Sequence, residues 1–283
     1  MRAREDPIYS SFLLSLGNGE LQSGENELVK LPQQIVRQPT HGGPDPINDI
    51  ASVAFPELDH SEFNSDTSRA ILTPMNDDVD AINSVLINKF PGKAVTYRSY
   101  YTLLDDKCNI YPAEFVNKPC PGGMSPHELV LKENCPVILL RNILPSYGLC
   151  NGTRLLCKRF TPNLIECVIT IGHHKGEHVF IPRIKTRPSP SANYPFQFQR
   201  NQFPLKLSFT MTINKSQGRT LSQVVVYLPK PCFSHGQLYI ALSRARTSKQ
   251  VTVMSTNRQD LTTDRLVKNV VSFTVLRLAD IIS

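Results

Sequence analysis

The sequence predicts an α/β fold interrupted by a small β-barrel. Three observations predict it. A short apolar strand, Ala70-Ile71-Leu72, runs through a polar turn into a helical pattern that ends near Lys89. Four short β-like runs separated by turn signals then fill residues 136–204. Beyond residue 205, apolar strands alternate again with a helical pattern, as in layered α/β architecture.

Taken in order, Ser11 to Leu16 reads as a short helix stopped by Gly17-Asn18-Gly19. Gln38 to Pro46 reads as loop. A second helix begins at Asp45-Pro46, a capping residue followed by proline at the first helical position, and Ile47, Ile50, Ala51, Ala54 and Phe55 share its apolar face. After the strand at 70–72, Asp77, Asp78 and Asp80 occupy a helix's first turn, where carboxylates complement the dipole. Val79, Ile82 and Leu86 form that helix's apolar stripe, and Pro91-Gly92 ends it. Residues 105–135, rich in Pro and Gly, read as an irregular connection. Pro136–Ile143, Thr153–Arg159, Leu164–Ile171 and Glu177–Ile181 are the short β runs, and Arg187 to Pro195 is a proline-rich exit. Leu205–Ile213 and Val224–Leu228 are apolar strands, His235–Arg246 a helix, Gln250–Met254 a strand and Asp264–Leu276 a helix. The chain thus divides into 1–67, 68–135, 136–204 and 205–283.

Composition narrows the function classes. The 283 residues carry a net charge of +7, but residues 136–283 hold 20 basic against 5 acidic side chains, while residues 1–70 hold 5 against 11. A basic half of this kind suits a polyanionic partner, nucleic acid first, although a merely solvated basic surface has the same composition. No apolar run approaches the ~18 residues of a membrane span, and no run of signal-peptide type follows Met1. Seven cysteines without a C-x-x-C pair read as reduced thiols inside a cell.

Two segments concentrate the chemistry. Met211-Thr212-Ile213-Asn214-Lys215-Ser216-Gln217-Gly218-Arg219-Thr220-Leu221 packs hydroxyls, an amide, cations and a glycine between apolar strands. Such a loop, delivered to a sheet edge, suits phosphate oxygens; an ordinary polar turn is the bland alternative. In His235-Gly236-Gln237-Leu238-Tyr239-Ile240-Ala241-Leu242-Ser243-Arg244-Ala245-Arg246, an apolar face made by Leu238, Leu242 and Ala245 leaves Arg244 and Arg246 near the helix end on different faces. An arginine there either stabilises a transferring phosphoryl group or simply complements the dipole.

Together these segments closely resemble motifs V and VI of the petite-integration-frequency (Pif-type) DNA helicases of superfamily one. Ile71-Leu72-Thr73-Pro74-x-Asn76-x-x-Val79-x-x-Ile82-Asn83 resembles motif IV. Pro136–Asn142, Gly148–Leu155, Phe180–Ile184 and Phe196–Leu205 resemble the entry to and exit from the family's inserted small barrel. The likeness is greatest to the helicases of eukaryotic Helitron-type elements and their cellular relatives. It implies the second of two RecA-like motor domains, which enclose ATP and Mg²⁺ and carry single-stranded or forked DNA in 5′-to-3′ movement. It implies that Arg244 is an arginine finger, that Gln217 and Gly218 line the nucleotide cleft, and that Thr212, Asn214, Lys215 and Ser216 lie near the DNA backbone. A nuclear protein is implied, with the mitochondrion as alternative.

The departures are equally specific. The 283 residues contain no Gly-x-x-x-x-Gly-Lys-Ser/Thr phosphate loop. The family's acidic Mg²⁺-holding motif is missing as well. Met1 to Pro7 and Phe12 to Gly19 resemble a stretch late in the family's first motor domain, so Met1 reads as an internal methionine. Residues 1–67 then read as a remnant of that domain and its linker. A first RecA-like domain is expected in cis or in trans, and without it the chain is expected to grip single strands without turnover. Two weaker constellations complete the reading. His173, His174 and His178 with Cys150, Cys157 and Cys167 fit no common zinc spacing. Arg154, Lys158, Arg159, Lys175, Arg183, Lys185 and Arg187, followed by Phe196, Phe198 and Phe203, suit single-stranded DNA if the rings are exposed, and a core if they are not.

Overall fold

A computed structural model describes residues 3, 5–21, 27–38, 46–59, 68–104, 123–189, 196–255 and 265–282. The chain forms two compact units, one from residues 1–86 with 209–283 and the other from residues 87–208.

The first unit is built on a parallel sheet. Strands β2 (Arg69–Thr73), β13 (Thr210–Thr212), β14 (Gln223–Leu228) and β15 (Val251–Ser255) lie in the order β13-β2-β14-β15, all parallel. Nearly every residue of these strands is buried, which is why they read as unbroken apolar runs rather than alternating ones. Val36 adds a parallel bridge to Val253 beyond the β15 edge. Helices α1 (Pro7–Asn18), α2 (Pro46–Ala54), α3 (Asn76–Lys89, running past the unit's edge), α4 (Gln237–Leu242) and α5 (Phe273–Ile282) accompany the sheet. Leu13 and Leu16 of α1, Leu72, Val224, Val226, Leu238 and Leu242 share one core cluster. A small antiparallel pair, β1 (Leu28–Lys30) with β16 (Leu266–Lys268), completes the unit.

Helix α1 is longer than the sequence pattern suggests. It begins four residues before Ser11, because Asp6 caps it by accepting a bond from the Tyr9 N–H (3.0 Å) and Pro7 supplies the fixed φ of the first turn. Gly19 ends it at φ +76°, donating its N–H back to the Leu16 carbonyl. The matching cap expected at Asp45 lies outside the described residues, but α2 does start at Pro46. The helix expected over Asp264–Leu276 is instead strand β16 followed by α5.

The second unit is antiparallel. Strands β6 (Pro136–Leu139), β7 (Arg154–Phe160), β8 (Leu164–Ile169), β9 (His178–Pro182) and β12 (Leu205–Leu207) form a sheet in the order β12-β6-β7-β8-β9. A three-stranded sheet runs β10 (Ile184–Thr186), β11 (Phe198–Gln202), β4 (Tyr100–Leu103), and β3 (Val95–Arg98) pairs with β5 (Glu128–Leu131). Strand β5 falls in the stretch read as an irregular connection; residues 105–122 of that stretch, and 190–195 of the proline-rich exit, lie outside the described residues. Strands β3 to β5 belong to the same compact unit as the segment that begins at Pro136. Lys132 is buried and donates to the carbonyls of Asn88 (3.2 Å) and Phe90 (2.5 Å), satisfying acceptors at the end of α3.

Candidate functional site

The polar loop and the short helix singled out in the sequence meet within the first unit. Strand β13 leads at its carboxyl end into a 3-10 turn, Ile213–Ser216, and the chain then crosses to the start of β14. Asn214, Lys215, Gln217 and Gly218 are exposed along this crossover, whereas Thr212 and Ser216 are buried. The Ser216 hydroxyl donates to the Ile213 carbonyl (2.6 Å) and so closes the turn on itself. Gly218 has φ +83°, with no heavy atom within 4 Å of where a Cβ would sit. The backbone there is bare and open, the form a phosphate-facing loop takes. Burial lowers the pKa of Arg219 beside it.

Helix α4 carries Arg244 just beyond its last turn, and this side chain does not project into solvent. Its Nε donates to the Ile240 carbonyl (2.7 Å), and one terminal nitrogen donates to the carbonyls of Ser216 (3.3 Å) and Arg219 (3.2 Å). The other terminal nitrogen donates to the Ser243 hydroxyl (2.7 Å). The Arg244 carbonyl in turn accepts from the Leu221 N–H (2.9 Å). A planar guanidinium suits this work because its fork of donors reaches two chain segments at once, which an ammonium cannot. Arg246 is the outward cation of the pair, with its guanidinium 3.4 Å from the Glu5 carboxylate.

Three further supports were not assigned a role from the sequence. Asn83 on α3 donates to the Thr210 carbonyl (3.1 Å) and accepts from the Thr210 N–H (2.9 Å), so its amide stands in for a ladder partner of β13. On α1, the buried Tyr9 hydroxyl donates to the Leu242 carbonyl (3.0 Å), and burial raises its pKa. The Asp6 carboxylate, besides capping α1, accepts from the Ser248 N–H (3.0 Å) and hydroxyl (2.7 Å), which hold its pKa below the usual carboxylate value. Asn83 stood within the motif IV likeness, and Asp6-Pro7 repeats the cap-and-proline signal noticed at Asp45-Pro46, so both were within reach of sequence reasoning.

In the second unit, Phe196, Phe198 and Phe203 are core residues, and Arg154 is buried with its guanidinium donating to the Ser208 carbonyl (2.9 Å). Among the described residues, the exposed tyrosine and phenylalanine rings of this unit are Tyr100, Tyr147 and Phe180. Among the described residues no three His, Cys, Asp or Glu side chains gather as a metal site. His174 pairs with Glu177 (3.0 Å) and His178 with Glu166 (2.8 Å). Cys157 faces Cys167 across β7 and β8, and hydrogen bonding with the Cys135 and Cys167 thiols, together with burial, raises its pKa well above the usual thiol value. That environment suppresses thiolate chemistry. Among the described residues no helix is long and apolar enough to cross a membrane.

Comparison with known proteins finds likenesses in sequence and in fold. Residues 114–160 match the family model for the 2B domain of the DNA helicase Pif1. The chain is 28% identical over 214 residues to the ATP-dependent DNA helicase PIF1 of Xenopus laevis, a match covering 73% of this chain and 31% of that protein. The crystal structure of Pif1 helicase from Candida albicans is similar over 100% of this chain and 59% of that one, with a TM-score of 0.63 at 22% identity. Pif1 helicase from Bacteroides, in complex with ADP-AlF3 and ssDNA, is similar over 99% of this chain and 55% of that one, with a TM-score of 0.60 at 18% identity. At those identities the structural likeness speaks for the fold alone. The chain spans under a third of the length of the curated relatives it matches. In sequence and in fold, the chain is similar to part of the length of the Pif1-type DNA helicases.

Proposed function

We propose that this chain is the C-terminal portion of an ATP-dependent DNA helicase that couples ATP hydrolysis to 5′-to-3′ movement on single-stranded DNA and to unwinding of forked duplex in the nucleus. In this reading residues 68–135 and 205–283 make the second RecA-like motor domain. Residues 136–204 make its inserted small-barrel subdomain, and residues 1–67 join it to the first motor domain. Gln217 and Gly218 would meet the nucleotide, and Thr212, Asn214, Lys215 and Ser216 would neighbour the DNA backbone. Mg²⁺ and the β- and γ-phosphates would be held mainly by a phosphate-loop domain outside these 283 residues.

The observation that carries the proposal is the hydrogen bonding of Arg244 to the carbonyls of Ser216 and Arg219, on either side of Gln217 and Gly218. A ligand that shifts this crossover must also move the end of α4. To act as an arginine finger, Arg244 would exchange these carbonyls for phosphate oxygens as the motor closes. The test is DNA-stimulated ATP hydrolysis by the chain joined to, or mixed with, a phosphate-loop motor domain. Turnover should appear, and Arg244→Ala should cut it by roughly 10³-fold. Full turnover in that variant would overturn the role.

A second reading follows from the missing phosphate loop. The isolated chain would be a module that holds single strands without hydrolysis. Salt-sensitive oligonucleotide binding with no ATP turnover, even beside a motor partner, would favour it.

A further inference from the structure

We propose that the open face of the three-stranded sheet β10-β11-β4 is a contact surface for single-stranded nucleic acid, separate from the crossover and helix that carry the motifs. It rests on the nucleic-acid reading above and adds to it a place of contact outside the motor motifs.

The register defines the face. Lys185 on β10, Asn201 on β11 and Tyr100 on β4 stand directly opposite one another across the sheet. Side chains that share a rung of an antiparallel sheet point the same way, and residues two apart join them. Gln199 and Thr102, which also face one another, therefore lie on this side. Arg187 is two residues beyond Lys185, roughly 7 Å along the strand direction. Burial supports the assignment: Phe198, Arg200 and Gln202 on β11 are buried, Gln199 and Asn201 are half-buried, and Lys185, Arg187, Tyr100 and Thr102 are exposed.

The chemistry of this face is selective. Tyr100 is 69% exposed, yet it is not loosely held. The Arg183 guanidinium lies 5.5 Å from its ring centroid and 4.7 Å from that of Phe203. Arg183 is itself fixed by donating to the carbonyls of Arg98 (3.0 Å) and Pro162 (3.2 Å) and to the Gln202 side chain (3.1 Å). An aromatic ring braced on one side and open on the other is a stacking platform for a base. The Gln199 and Asn201 amides offer both donors and acceptors, which base edges use, and Lys185 and Arg187 offer cations to the backbone. No Asp or Glu occurs on β4, β10 or β11, so nothing on these strands repels a phosphate chain. An acidic peptide would use the cations but would leave the ring and amides without a role.

The test is fluorescence anisotropy of a labelled thymidine homopolymer with the whole chain, across a salt titration. Tyr100→Ala should weaken binding about tenfold, as loss of one stacked base does, while Tyr100→Phe should bind like the parent. Lys185→Ala with Arg187→Ala should flatten the slope of log affinity against log salt by roughly 1.4, at about 0.7 per lost contact on a single strand. Unfolding midpoints of all variants should match the parent, since these side chains face solvent. Unchanged affinity and slope would overturn the surface, as would equal loss in Tyr100→Phe or equal competition by polyglutamate. A parent chain that binds no oligonucleotide overturns it too. Lys215→Ala separates the two readings: if it weakens binding while the face variants do not, the crossover contact stands and this surface falls.

Discussion

The two units solve the placement of polar groups differently. In the first, strands β2, β13 and β14 are buried along nearly their whole length, so chemistry is confined to the chain that leaves the strand ends. In the second, the three-stranded sheet buries one face and leaves the other in water, so chemistry can sit in mid-strand on every second residue. An edge site is therefore contiguous in sequence and a face site is not. Thr212 to Gly218 form one readable run, whereas Lys185, Asn201 and Tyr100 are scattered over a hundred positions. Edge sites also depend on internal hydrogen bonds to hold irregular backbone, while a face is held by the ladder beneath it.

That contrast makes removal of Arg244 the most disruptive change. Arg244→Ala leaves the carbonyls of Ser216, Arg219 and Ile240 without this donor and should cost about 3 kcal/mol in urea unfolding. Arg244→Lys should recover only part of it, because one ammonium cannot span both segments. The solvent-facing pair Lys185→Ala and Arg187→Ala should stay within about 0.5 kcal/mol of the parent. Equal losses at the two sites would break the comparison.

Asn83→Ala sharpens it next. The amide supplies both bonds to Thr210, so the variant should lose about 2 kcal/mol and its Thr210 amide should exchange hydrogen faster than in the parent. A smaller effect is expected at Gly19→Ala, roughly 1–2 kcal/mol, for two reasons. The φ of +76° strains any side chain, and a Cβ would meet the Phe273 ring at 3.1 Å. A midpoint unchanged in thermal unfolding would show that α1 is not held at its end as described.

The smallest effect is one of pH. The folded Asp6 carboxyl has its pKa lowered from 3.8 by the Ser248 and Tyr9 donors. A lowered folded value means that its contribution is present above the unfolded pKa of about 4 and is lost as pH falls through the folded value. Asp6→Asn should therefore melt below the parent at neutral pH, with the gap closing below about pH 4. A gap independent of pH would show that the carboxylate's charge plays no part.

Much of the first unit was legible in the sequence. The strands at Ala70, Val224 and Gln250, the helix after Asn76 and the two motif segments all stand close to where residue pattern put them, because a parallel sheet writes itself as local apolar runs. The beginning of α1 was missed although Asp6-Pro7 announced it, and β5 was hidden by the Pro- and Gly-rich stretch before it.

By itself, the sequence determined the alternation of strand and helix, the basic character of residues 136–283 and the position of the two polar segments along the chain. Those properties are set by neighbours along the chain and by composition. Only the tertiary structure decided that Arg244 turns inward to the crossover while Arg246 faces out. It also decided that Phe196, Phe198 and Phe203 are core while Tyr100 is exposed, and that Lys185, Asn201 and Tyr100 share a rung. Each of these depends on register and burial between distant segments, and a side chain's partners across a sheet are not encoded in the residues beside it.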